Sequence, residues 1–238
     1  MRLYLSKILL LLCFISLCSS QDQIYTFATR SDIVMQINKA RTLPSVFAAI
    51  IKESYSNYTT NSALQSTINF LNTVTPVSAL TSQSGLDAVA QFHANYLNTD
   101  VANWLNPDIG CNNSFVSDRI ALAGNWSNRV AENIAYGIQN AEQLVATWII
   151  DNYVASKKNR MNIFEPSFTD VGIGISGAED NSTIYVAVFA GNFMCHAPCV
   201  NASKIGGHYD CKGNPFAFGV LPKISAILLI ILGAILLV

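Results

Sequence analysis

Four stretches carry apolar residues at helical spacing. In "SDIVMQINKARTLPSVFAAIIKE" (31–53), Ile33, Val34, Ile37 and Ala40 share a face behind a Ser-Asp cap. Pro44 opens a second helical segment through Val46, Phe47, Ile50 and Ile51. "NSALQSTINFLNTV" predicts a helix that stops before Pro76. "GLDAVAQFHANYLNTD" predicts another, with Leu86, Val89, Ala90, His93 and Leu97 on one face; His93 there reads as a packed, hydrogen-bonded histidine rather than a ligand. "NAEQLVATWIIDNY" packs Leu144, Val145, Trp148 and Ile149 inward. The stretch from Val101 to Asn128 is loop-rich, with "NPDIG" as its turn signal.

"TDVGIGISG" and "TIYVAVFAGNF" then read as strands joined by the polar turn "AEDNS". The second strand is apolar at both alternating sets, Val186 and Val188 against Tyr185, Ala187 and Phe189, so it is expected to lie centrally with both faces covered. Helices followed by a compact sheet predict an α/β fold, a three-layer α-β-α sandwich around a mainly antiparallel sheet.

Both ends of the 238-residue chain are apolar and are expected to lie outside this fold. "MRLYLSKILLLLCFISLCSS" (1–20) has a basic start, an apolar centre and small residues at its end, the pattern of a secretory signal peptide; its apolar run is short for a membrane anchor. The charge-free tail from Ile224 to Val238 follows the spacer "PFAFGVLPK" and the small residues "GN". That order reads as a GPI-attachment signal with Gly213 as the lipidated residue; the alternatives are a tail-anchored helix and a buried core helix. The two ends inflate the mean hydropathy of +0.32. Removing Arg2, Lys7 and Lys223 leaves 11 basic residues against 15 acidic, a formal charge of −4. No basic stripe points to nucleic acid.

Cys111, Cys195, Cys199 and Cys211 remain after the signal. In an oxidising compartment they are expected to form two disulfides, with three connectivities open. A rival reading assembles Cys195, His196, Cys199, His208 and Cys211 as a zinc site. Sequons at Asn57, Asn112, Asn125, Asn181 and Asn201 fit an exported glycoprotein.

"RVAENIAYG" sets Glu132 among Val130, Ala131, Ile134, Ala135 and Tyr136. A carboxylate buried alone is costly, so Glu132 must be paired, neutralised or open to a cleft.

Taken in order, "INKAR" with Pro44, "LDAVAQFHANYL", "DRIALAG", "AENIAYG", "LVATWIID", "NRMNIFEPSFTDVGIG" and "YVAVFAGNF" resemble the CAP superfamily, the cysteine-rich secretory, antigen 5 and pathogenesis-related 1 proteins. The likeness is to the shorter bacterial-type SCP domains and runs from Ser31 to Phe193, leaving 194–213 as a Cys-containing extension and 214–238 as spacer and tail. It implies the same α-β-α sandwich and a cleft lined in the family by two acids and two histidines. The acids fall on Glu132 and Asp151, with Ala131 in place of the usual glycine. The histidine positions fall on Trp104 and Asn159, so both imidazoles are missing. Arg160 follows the second of them and is expected to pair with an acid or close the cleft mouth, where it would meet an anionic head group; Lys157 and Lys158 read as solvated loop.

Without imidazoles, Glu132 and Asp151 supply too few ligands for a committed metal site, so neither metal nor cofactor is expected. Glu132 is expected at the cleft floor beside Asp151, held by backbone N–H groups or by Asn159. Three function classes follow. One is a membrane-attached, non-catalytic module that binds a lipid, a sterol or a protein. Another is a peptidase or esterase using Glu132 and Asp151 as acid and base. The third is a structural coat protein with a vestigial cleft. No Ser-His-Asp or Cys-His set can be assembled from the sequence.

Overall fold

The computed structural model describes residues 28–55, 60–137, 140–152, 156–177 and 183–196. The signal sequence, the tail with Gly213, His208, Cys199, Cys211 and the sequons at Asn57, Asn181 and Asn201 lie outside them.

Helix α1 (Arg30–Thr42) begins at a capping box in which Thr29 and Asp32 satisfy each other's backbone N–H, so the cap sits two residues before the expected Ser-Asp pair. Pro44 occupies the first turn of α2 (Pro44–Ser54), where its missing N–H costs nothing. Asn61 caps α3 (Ser62–Thr73) by accepting from the N–H groups of Ala63 and Leu64. Strand β1 (Thr81–Ser82) leads into α4 (Ser84–Leu97). The loop-rich stretch holds two short 3₁₀ turns, Val101–Leu105 and Cys111–Asn113, and the short helix α5 (Val116–Ala121). It then enters strand β2 (Gly124–Tyr136), whose polar first half, "GNWSNR", has no strand periodicity to announce it. Helices α6 (Ala141–Ile150) and α7 (Lys158–Phe164) and strands β3 (Asp170–Ser176) and β4 (Ile184–Cys195) complete the fold.

The sheet runs β1-β3-β4-β2 and is antiparallel except for the two-residue β1–β3 pair. β4 is central, as its doubly apolar pattern predicted. Tyr185, Ala187 and Phe189 face a core built with α1, α2, α3, α6 and α7. Ile184, Val186, Val188 and Ala190 face a second core built with α4 and α5. These are the three layers of the expected sandwich.

α4 lies directly on β3. A Cβ at Gly172 would meet the Leu86 backbone at 2.1 Å, and one at Gly174 would meet Ala90 at 2.2 Å, so the "GIG" alternation is what admits the helix. Beyond the short β1, β3 has no strand partner on that edge among the described residues. Asp87 accepts from Ile173 N–H at 2.7 Å, and Gln91 bonds both the N–H and the carbonyl of Ile175. Arg41, fully buried, donates to the carbonyls of Ser78, Ile163, Glu165 and Phe168 and ties α1 to the segment between α7 and β3.

Candidate functional site

Glu132 and Asn133 are neighbours on β2, opposite Val188 and Ala187 of β4. Those two belong to different cores, so the Glu132 side chain points to the α4–α5 layer and Asn133 to the other. The expected cleft residues therefore divide between two clusters.

The first cluster surrounds Glu132. Arg119 of α5 donates from Nη2 to Glu132 Oε1 at 2.7 Å, and both side chains are buried. Arg119 Nη1 also donates to the Ser114 carbonyl at 2.7 Å. His93 of α4 donates from Nε2 to the Pro107 carbonyl at 2.8 Å and lies 3.5 Å from Glu132 Oε1. Burial, and then the nearby Arg119 charge, lower His93 to about 3. The ring is thus neutral at physiological pH, and its approach to Glu132 is not an ion pair. Burial raises Glu132 to about 7 against the opposing pull of Arg119. Trp104 sits on the same side: its Nε1 donates to the Leu97 carbonyl, and its ring packs 4.6 Å from that of Tyr136. Burial followed by the Glu132 charge pushes the Tyr136 hydroxyl up to about 12. At the rim, Asp108 pairs with Lys158 across the exposed surface. The Lys158 side chain is solvent-exposed as expected, but the residue opens α7 instead of lying in a loop.

The second cluster surrounds Asp151, which ends α6 in a left-handed conformation with φ of 48°. Its carboxylate accepts from Asn159 N–H and Nδ2 at 2.8 Å each, so it caps α7 from outside the helix. Lys157 Nζ donates to the Asp151 carbonyl. Asn133 donates to the Asn159 carbonyl, and Asn162 donates to Asn133 Oδ1. Arg160 turns inward: it bonds the carbonyls of Ile149 and Ile150 and Thr67 Oγ1, and its guanidinium lies 5.2 Å from the Phe70 ring. It neither pairs with an acid through its side chain nor reaches a cleft mouth, because the last turn of α6 leaves carbonyls that a buried guanidinium satisfies.

The geometry thus departs from the arrangement expected for the carboxylates. Asn159 holds Asp151 instead of Glu132, and Glu132 is held by Arg119 instead of backbone N–H groups. Sequence reasoning missed Arg119; the requirement that a buried carboxylate find a counter-charge is the signal that could have found it. His93, set aside as a ligand, is a packed and hydrogen-bonded histidine and also a wall of the Glu132 cluster.

Among the described residues, no group of three or more His, Cys, Asp or Glu side chains is arranged to hold a metal ion. No helix among them is long and apolar enough to cross a membrane. Cys111 and Cys195 each take part in a disulfide. Asn112 and Asn125 are exposed, Asn112 with a positive φ of 56°.

The family model described as the cysteine-rich secretory protein family (CAP) matches residues 34–190. No curated protein matches the chain. Several solved structures are similar, among them the following. An extracellular protein containing an SCP domain from Bacillus anthracis is 17% identical, with a TM-score of 0.38 over 53% of this chain and 37% of that one. An outer surface protein from Borrelia burgdorferi is 20% identical, with a TM-score of 0.37 over 56% of this chain and 88% of that one. A cysteine-rich secretory protein from Staphylococcus aureus is 16% identical, with a TM-score of 0.33 over 55% and 37% of the two chains. The similarity thus spans little more than a third of the Bacillus protein. The family match covers most of the chain and agrees with the ordered motifs and the three-layer fold: this chain belongs to the CAP family.

Proposed function

We propose that this chain is an exported, surface-attached CAP module that binds a lipid, a sterol or a protein without chemical turnover. One observation carries the reading: the two family acids are held in separate clusters by different partners. Glu132 Oε1 is held by Arg119, and both oxygens of Asp151 are taken by Asn159 on the other face of β2. A general acid and base acting together need to flank one reacting bond, which this division opposes. The binding class is further supported by exposed apolar side chains: Val101 and Leu105, the latter 90% exposed, share a 3₁₀ turn with the half-buried Trp104, and Phe115 and Leu122 flank α5. Export and attachment through the tail, with Gly213 carrying the lipid, rest on the two apolar ends of the sequence, and oxidation of all four mature cysteines goes with them.

The test is equilibrium binding of a fluorescent sterol and a fluorescent fatty acid to the purified protein, with ester and peptide turnover measured in parallel. Saturable binding with no turnover is expected. Turnover that disappears in Glu132→Gln would replace this reading with the hydrolase. Phosphatidylinositol-specific phospholipase C should release the protein from cells; retention with the tail intact would reject lipid attachment.

A further inference from the structure

β2 is an edge strand, and its two halves differ. The second half lies against α7, where Asn133 donates to the Asn159 carbonyl and Asn162 to the Glu132 carbonyl. In the first half Asn125, Ser127, Asn128 and Arg129 are exposed, and no strand pairs with that edge among the described residues. Such an edge is a template for pairing with another chain unless something covers it.

Asn125, Trp126 and Ser127 form a complete sequon on this open half. Its surroundings single it out. Asn125 and Met194 are paired directly across β2 and β4, so both side chains stand on the same face of the sheet. Met194 is 66% exposed. His196 approaches Asn125 Oδ1 at 3.4 Å, which leaves Nδ2, the atom a glycan is joined to, uncommitted among the described residues. Ser127 Oγ accepts from Asn192 Nδ2 at 2.9 Å and stays on the exposed side. N-acetylglucosamine, the first sugar of an N-glycan, presents one face of C–H groups. That face suits an adaptable thioether, while the sugar hydroxyls remain in water.

We propose that Asn125 carries an N-linked glycan whose first sugar lies over Met194 at the open edge of β2. This rests on the reading of the chain as exported. The co-substrate is an oligosaccharide carried on a polyprenyl diphosphate lipid. Asn125 Nδ2 forms a bond to the anomeric carbon of the first sugar, and the bond from that carbon to the diphosphate oxygen breaks. The diphosphate leaves with the bonding pair and takes up the proton that the amide loses, so nothing is oxidised or reduced. The attached glycan is bulky and hydrated, and it keeps a second chain from laying a strand along residues 125–129.

Occupancy is read on the full-length chain, expressed in a secretory eukaryotic cell and purified in detergent. Peptide N-glycosidase in heavy-oxygen water turns each glycosylated asparagine into labelled aspartate. Label at position 125 is expected. No label there in chains that have lost residues 1–20 overturns this proposal and leaves export standing. No label in chains that keep residues 1–20 overturns export and this proposal together. Oxidation by dilute peroxide reads the cover. Met194 is expected to oxidise several-fold faster in Asn125→Gln and in Ser127→Ala, both of which lack the sequon, than in the parent. Met35 and Met161, each 56% exposed, should keep their rates. Equal Met194 rates in the parent and both variants overturn the placement of the sugar. So does a rise shared by Met35 and Met161, which reports loosened folding instead of lost cover.

Discussion

Two polar clusters flank β2, and they differ in how completely they are satisfied. On the Asn133 side, Asp151, Asn159, Asn162 and Arg160 answer one another and the ends of α6 and α7. Arg41 spends its guanidinium on four carbonyls, although Trp148 Nε1 and Tyr185 Oη elsewhere in that layer have no partner among the described residues. On the Glu132 side, one ion pair and one imidazole hydrogen bond are made, and five polar atoms are left over. A saturated network fixes the positions of helices and keeps nothing for a ligand. An unsaturated one, buried at comparable depth, retains hydrogen-bonding capacity and titrates. The difference separates the residues that build this domain from those that can respond to its surroundings.

The largest effect is expected on the saturated side. Arg41→Ala strands the buried carbonyls of Ile163 and Phe168, removes the partner of two part-buried ones and leaves a cavity, and should cost about 3–5 kcal/mol, read as a fall in the denaturation midpoint in urea. A loss below about 1 kcal/mol would mean that the carbonyls find other partners. Asp151→Ala should follow at about 1–3 kcal/mol, since it uncaps α7 and frees Asn159. Its helix-terminal amides should lose hydrogen-exchange protection before the rest of the domain does.

On the unsaturated side the signature is pH dependence. His93 titrates at about 3 in the folded chain and near 6.5 when unfolded, so between these values the unfolded state holds the extra proton and stability rises with pH. Glu132 titrates at about 7 folded and near 4.5 unfolded, so between these values the folded state holds the extra proton and stability falls with pH. The two slopes oppose each other where the windows overlap. Glu132→Gln should therefore unmask a rise through the acid range, and His93→Asn a fall as pH climbs towards 7. Denaturation midpoints measured across pH check both, and profiles matching the parent in both variants would refute the coupling.

The smallest expected effect is that of zinc. Arg119 holds one Glu132 oxygen and Asp151 lies in the other cluster, so calorimetric titration of the purified protein should give no submicromolar binding. Tight binding lost in Glu132→Gln would show that the ion pair yields to a metal.

Much of the scaffold was legible in the sequence. Periodicity located α1 to α4, α6, β3 and β4, and the doubly apolar pattern of β4 put it at the centre of the sheet. The order of the motifs, from "INKAR" to "YVAVFAGNF", pointed to the family that the match over residues 34–190 establishes. β2 was not read as a strand at all: "GNWSNR" is a polar edge segment with register shifts at Asn125/Ser127 and Ser127/Val130, and the apolar run that follows it does not alternate. α5 is too short to show a helical period.

The site was only partly legible. The sequence determined that Glu132 needed a partner, because burial of a lone carboxylate is expensive wherever it occurs. Only the tertiary structure decided that the partner is Arg119, that His93 stands beside it, and that Asp151, Asn159 and Arg160 belong to the opposite layer. Burial and periodicity are properties of a segment and its own residues, so they survive in one dimension. The choice of a counter-charge depends on how α4, α5 and α7 dock around an edge strand, and that is settled by packing between segments far apart in the chain.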